Sequence, residues 1–173
     1  MDFAPTILEL AGAQNLDGKF DGNSFKSVLD GKDFQSRESL YFELGYARAV
    51  VKGEFKYYVV RYPEYAKNWS LQQRDSVLTA YNKTREIRNM RVVNRDPSKP
   101  FSHLEVVPGG GEAEHESYGK LPGYFDADQL YNLKDDPGEM KNLANDAKHL
   151  QILVEMKKEL QKYLDSLPGK FEL

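Results

Sequence analysis

Histidine is the side chain best able to move protons near neutral pH, and the chain carries His103, His115 and His149. No two of them stand in an HxxxH or HExxH arrangement, the spacings that put two imidazoles on one helix face around a metal. His149 falls at the start of a helical pattern and reads as an ordinary surface residue. His103 and His115 flank Gly109-Gly110-Gly111 and are the histidines retained as candidate substrate contacts. Cysteine is absent, which removes disulfides, thiolate metal sites and a cysteine nucleophile. The acidic turns Asp126-x-Asp128 and Asp135-Asp136-Pro137-Gly138-Glu139 lack the ligand spacing of a calcium loop, so they read as solvated turns. The glycine triplet lacks the lysine of a phosphate-cradling loop. Asn68-x-Ser70 and Asn82-x-Thr84 are formal glycosylation acceptors of a kind that arises by chance. No Ser/His/Asp set, zinc site or nucleotide loop declares itself.

The strongest electrostatic feature lies between Lys67 and Lys99. Eight Lys and Arg (67, 74, 83, 85, 88, 91, 95, 99) face Asp75, Glu86 and Asp96 there, a balance of 8 − 3 = +5. Arginine offers a planar fork suited to sulfate, phosphate or carboxylate, so Arg74, Arg85, Arg88 and Arg91 are candidate contacts to an anionic substrate. Between Glu112 and Asp146 the balance reverses, with nine acids and three lysines, or −6. Over the whole chain, Lys+Arg 24 and Asp+Glu 27 give −3, which offers no general attraction for nucleic acid. The middle is basic and the last third acidic.

The elements that must position these residues follow from periodicity. Residues 2–12 read as a short helix, with Asp2 as cap, Pro5 in the first turn and Gly12 as stop. A helix this short is marginal alone. Its Phe3, Ile7 and Leu10 form an apolar stripe that points to packing against another surface or to self-association. Residues 13–38 are turn-rich, with one helical turn at Ser24–Leu29. Tyr-, Phe- and Val-rich runs predict strands at Ser39–Leu44, Ala47–Val51 and Phe55–Arg61, with a tight turn at Gly53. Ser70 and Gln73 form a candidate capping box for a helix from Leu71 to about Arg91. Gln129–Asn132 is a last short strand. Leu153, Met156, Leu160, Tyr163, Leu164 and Leu167 share one face of a helix over 147–167, which Pro168-Gly169 ends.

The fold class is therefore α+β. A small antiparallel sheet of three or four strands is packed by a C-terminal amphipathic helix, with a helical insertion (64–125) after the third strand. The chain of 173 residues suits one domain with an appended element. No apolar run is long enough to cross a membrane as a helix, and the first residues lack a basic-then-apolar leader.

Four segments in order resemble the C-terminal part of formylglycine-dependent sulfatases. Asp2-Phe3-Ala4-Pro5-Thr6 resembles the D-x-x-P-T helix that closes the family's large N-terminal domain. Asp21-Gly22-Asn23-Ser24 with Leu29-Asp30-Gly31 resembles its D-G-x-S…L-x-G connection. Arg48-Ala49-Val50 with Gly53-Glu54-Phe55-Lys56-Tyr57 resembles its R-A-V…G-x-W/F-K-Y hairpin. Gln129-Leu130-Tyr131, Asp136-Pro137-Gly138-Glu139 and Asn142-Leu143-Ala144 resemble its ending. The 64–125 stretch lies outside the match.

The resemblance implies hydrolysis of sulfate esters, with sulfated carbohydrate as substrate class. It also implies that residues 1–38 close the N-terminal domain and lead into a C-terminal subdomain at 39–173. The family's nucleophile, a formylglycine made from Cys or Ser in C/S-x-P/A-x-R, lies upstream of the D-x-x-P-T helix, as do its calcium ligands. Ser166-Leu167-Pro168-Gly169-Lys170 carries Lys where that motif needs Arg. The expectation is a fragment with no catalytic residue, metal site or cofactor of its own. Calcium and formylglycine are expected in the N-terminal catalytic domain, which would be its partner, in a periplasmic or secreted enzyme. The alternatives are a non-catalytic binding module and the C-terminal part of a related phosphoesterase.

Overall fold

The computed structural model describes residues 1–13, 20–34, 36–92, 95–98, 103, 106, 120–124 and 126–173. They form two compact units, Met1–Arg37 and Glu38–Leu173.

The first unit holds α1 (Phe3–Leu10) and the one-turn α2 (Lys26–Leu29). Asp2 precedes α1, but its side chain makes no capping bond. Its carboxylate instead takes the Arg37 guanidinium at 2.9 and 2.5 Å and the Asn23 N–H at 2.9 Å. Those contacts, Arg37 first, hold its pKa below the ordinary carboxylate value. The buried Thr6 hydroxyl donates to Asp2 O at 2.7 Å and accepts from Phe25 N–H at 3.0 Å, joining the two helices. A Cβ on Gly22 would lie 2.2 Å from the Met1 carbonyl oxygen, so glycine is required there. Phe3, Ile7 and Leu10 remain exposed.

The second unit is built on a four-stranded antiparallel sheet in the order β1-β2-β3-β4. The strands are β1 (Ser39–Leu44), β2 (Ala47–Lys52), β3 (Phe55–Val60) and β4 (Asp128–Asn132). Two-residue loops close the first two hairpins. Each begins with a glycine at positive φ, Gly45 at 53° and Gly53 at 57°, the backbone such tight turns demand. Tyr41, Val50, Tyr57 and Leu130 are register partners and run as one row across all four strands.

Helix α5 (Leu150–Ser166) lies over that row, burying Met156 and Leu160 against Val50, Tyr57, Val59 and Leu130. Tyr163 stacks on Tyr41 with ring centroids 5.3 Å apart. Polar bonds fix the helix at both sides of the sheet. The buried Glu159 carboxylate accepts from Ser39 Oγ, Lys52 Nζ and Lys162 Nζ, each at 2.8 Å. Toward β4, Lys157 Nζ meets Asp128 at 2.8 Å, and Tyr57 donates its hydroxyl to the same carboxylate. Burial pushes Asp128 up, but the bonds from Lys157 and Tyr57 outweigh it and its pKa is lowered. Burial and Asp128 raise the Tyr57 phenol.

The opposite face carries a second cluster of Ala47, Val60, Tyr62 and Ala66. Here α3 (Glu64–Lys67) leads to α4 (Leu71–Ile87), which starts at the capping box formed by Ser70 and Gln73. On the β1 edge of this face, Leu40, Phe42 and Leu44 are 45, 52 and 67 % exposed.

Removing methylenes from a sealed core costs transfer and cavity energy together. Leu160→Ala is expected to destabilise the chain by about 2–5 kcal/mol in urea unfolding. The lysine bonds from Lys162 and Lys52 lower Glu159 from 4.5 to about 2. A lowered carboxylate contributes stability above its unfolded value and loses it as pH falls toward the folded one. That contribution is therefore complete above pH 4.5 and fades toward pH 2. Glu159→Gln is expected to flatten this part of the stability–pH profile.

Candidate functional site

The candidate arginines lie on and just beyond α4. Arg74 sits in its first turn, half buried, with Nε donating to Trp69 O at 3.1 Å. Arg85 is buried in its last turn. Its Nε donates to Arg91 O at 2.8 Å, its NH1 to Tyr81 Oη at 3.2 Å, and its guanidinium lies 5.7 Å from the Tyr81 ring. Arg88 and Arg91 are exposed.

The helix stops at Ile87, short of the Arg91 expected from the sequence. Asn89 takes a left-handed φ of 54°. Met90 N–H reaches back to Arg85 O at 2.8 Å and Asn89 N–H to Glu86 O at 3.0 Å. This paired return satisfies the last carbonyls and terminates a helix, and asparagine is among the few residues that tolerate the required backbone. Arg85 reinforces the stop by tying the outgoing chain at Arg91.

His103 is 2 % exposed, with Nε2 at 2.5 Å from Ala66 O and its ring 5.2 Å from that of Trp69. Burial holds its pKa below the ordinary histidine value. His115 lies outside the described residues. His149 precedes α5 and pairs with Asp146 at 3.1 Å.

The candidates thus fall into two groups. Arg74 and His103 share the start of α4; Arg85, Arg88 and Arg91 share its end. Fourteen residues separate Arg74 from Arg88, roughly 21 Å at helical rise. A shallow groove of about 430 Å³ runs along the helix between Leu78, Asn82, Lys83, Glu86 and Arg95. Arg95 is tied to Glu86 at 2.5 Å. Arg88 and Arg91 stand open to solvent at one end, where Arg85 is bonded to Arg91 O.

Among the described residues, no three or more His, Asp or Glu are grouped to hold a metal ion. No described helix is long and apolar enough to cross a membrane.

Several motif residues have structural roles that their types alone did not reveal. Asn142 works as a strand substitute on the outer edge of β4. Its Oδ1 accepts from Leu130 N–H at 3.0 Å and Ala144 N–H at 2.9 Å, while its Nδ2 donates to Asp128 O at 3.0 Å. Glu139 holds Lys56 Nζ with both oxygens at 2.7 Å from a backbone with φ 55°. Arg48 braces the first hairpin through Gly45 O at 2.9 Å and Glu43 at 2.9 Å, under the Phe171 ring.

No family model matches the chain. In sequence it is a sulfatase homologue: the ulvan-active sulfatase of Formosa agariphila is 24% identical over 171 residues. That match covers 96% of this chain and 25% of the relative. Solved structures share the fold. A proposed sulfatase from Bacteroides thetaiotaomicron superposes with TM-score 0.51 at 22% identity, over 95% of this chain and 24% of that one. A 2-O GAG sulfatase gives 0.50 at 21%, again over 95% and 24%. A third, solved with its substrate D-glucosamine-2-N,6-O-disulfate, gives 0.50 at 17%, over 95% and 23%. The chain spans about a quarter of the length of the relatives it matches.

Loss of a buried, bonded guanidinium leaves polar partners unsatisfied. Arg85→Ala is expected to lower stability by about 1–3 kcal/mol in urea unfolding. Arg88→Ala, on the exposed end, is expected to stay within about 0.5 kcal/mol.

Proposed function

We propose that this chain is the C-terminal part of a formylglycine-dependent sulfatase that hydrolyses sulfate esters of carbohydrate. The observation that carries the reading is the unequal coverage: nearly all of this chain aligns with a quarter of a sulfatase. The four ordered motifs support it independently. Residues 1–38 then close the N-terminal catalytic domain and residues 39–173 form the C-terminal subdomain.

Two exposed apolar surfaces suit that arrangement. One is Phe3, Ile7 and Leu10 on α1; the other is Leu40, Phe42 and Leu44 on β1. Exposed apolar groups of this kind are costly in water unless a partner covers them. The catalytic domain is the proposed cover for both, and self-association through α1 is the expected behaviour when it is absent.

The described residues offer no cluster suited to calcium. By the family resemblance, the nucleophile, formylglycine and calcium of the proposed enzyme belong to its N-terminal catalytic domain. The role proposed for this chain is to complete the fold and to help grip substrate. Arg88 and Arg91 are the proposed direct contacts to sulfate or carboxylate on the sugar. Arg74, Arg85, His103 and His115 complete the proposed set, with Arg85 acting by holding Arg91 in place. A periplasmic or secreted location is part of the same proposal.

The purified chain is expected to release no sulfate from an aryl or sugar sulfate, while the full-length enzyme does. In that enzyme, Arg88→Ala and Arg91→Ala are expected to raise KM for a sulfated oligosaccharide about 3- to 10-fold with kcat nearly unchanged. Sulfate release by the chain alone, or unaltered kinetics in both variants, would count against the respective halves of this reading.

A further inference from the structure

At the corner between α3 and α4 stands a buried histidine, His103, whose Nδ1 has no hydrogen-bond partner among the described residues. We infer that His103 is a proton-operated latch: neutral, it holds this corner closed, and protonated, it leaves its slot. The inference goes beyond the sulfatase reading and does not depend on it.

The geometry dictates the neutral tautomer. Ala66 O can only accept, so Nε2, 2.5 Å away, carries the hydrogen. Nδ1 is buried and has no hydrogen-bond partner among the described residues. A proton there creates a buried donor facing no acceptor, which is the costly case for a polar group. It also creates a positive charge in a slot that is 2 % exposed. Among the described residues, the charged group acting on His103 is Arg74 of α4, another cation. From α3 it meets a carbonyl, while the Lys67–Glu64 pair, 2.6 Å, stands in solvent. Among the described residues, no carboxylate compensates the added charge. The same ring packs on Trp69, whose carbonyl holds Arg74 Nε at 3.1 Å. One imidazole therefore secures the end of α3, the indole and the first turn of α4.

The sign of the pH effect is fixed by this arrangement. The folded histidine titrates below its ordinary 6.5. Its contribution to closure is complete above that value and is lost as pH falls from there through the lowered folded value.

The chain contains one tryptophan, Trp69, and it is the residue against which the latch closes. Its emission therefore reports the state of His103. The test is a fluorescence titration of the 173-residue chain from about pH 7.5 to 4.5 in the native sequence and in His103→Gln. Glutamine can still donate to Ala66 O but does not titrate. Expected is a reversible change in Trp69 emission with a midpoint below 6.5, and its loss in His103→Gln, with native emission kept at the upper pH. Amide exchange at Lys67 and Asn68, bonded within α3, is expected to quicken in parallel with the native transition. A flat native titration, a midpoint at or above 6.5, or an unchanged transition in His103→Gln overturns the latch. Should His103→Gln lose native emission at the upper pH, NMR titration of the native His103 ring decides. A lowered pKa with Trp69 ring signals moving alongside supports the latch, and an ordinary one overturns it.

Discussion

The seam between α5 and the sheet is the interaction on which the rest depends. A four-stranded sheet of five- and six-residue strands gains little until one face is covered, and a helix of 17 residues is only marginally stable by itself. Tyr41, Val50, Tyr57 and Leu130 provide one continuous row, and Met156 and Leu160 close it. Hydrophobic contact of this kind has little directionality. The orientation comes from the charged bonds at the margins, Glu159 with Ser39 and Lys52 on one side and Lys157 with Asp128 on the other. Moving the helix would strand a buried carboxylate without its partners, which is far more costly than sliding an apolar contact.

Covering one face in this way leaves the other to serve different ends. Its β1 edge presents Leu40, Phe42 and Leu44 to solvent, whereas its far end is closed by Tyr62 and Ala66 and turns the chain into α3 and α4. Helix α4 contributes to neither apolar cluster of the sheet. It leaves from a corner held by Trp69 and His103 and ends at a return locked by Asn89 and Arg85. The basic residues are thereby carried on an element secured at its two ends. Such an arrangement suits the gripping role proposed for it and explains why two of the arginines and the histidine serve the scaffold.

The architecture was largely legible from local pattern. Alternating aromatic and β-branched residues separated by glycine announced the hairpins. The spacing of Leu153, Met156, Leu160 and Leu164 announced α5, and Ser70 with Gln73 announced the start of α4. All of these are short-range signals. The end of α4 was misplaced because continuation to Arg91 and a left-handed Asn89 are both compatible with the local sequence. Asp2 was expected to cap α1, yet its carboxylate turns to Arg37, a partner 35 residues away that helix-cap reasoning does not consider. The site was less legible still. Arg85 and Arg88 are the same residue type three positions apart, one buried and one exposed, and helix phase relative to neighbouring chain decides between them.

The sequence alone determined the α+β class, the hairpins, the covering helix, the absence of cysteine chemistry, and a series of motifs in sulfatase order. These depend on periodicity, turn chemistry and composition, which act between residues close along the chain. Tertiary structure decided that Asn142 completes the edge of β4, that Glu139 holds Lys56, that Glu159 lies buried among Ser39 and two lysines, and that His103 stands against Trp69. Each of those outcomes joins groups whose charge and hydrogen-bonding capacity are fixed by residue type but whose burial and partners are set only when distant segments meet.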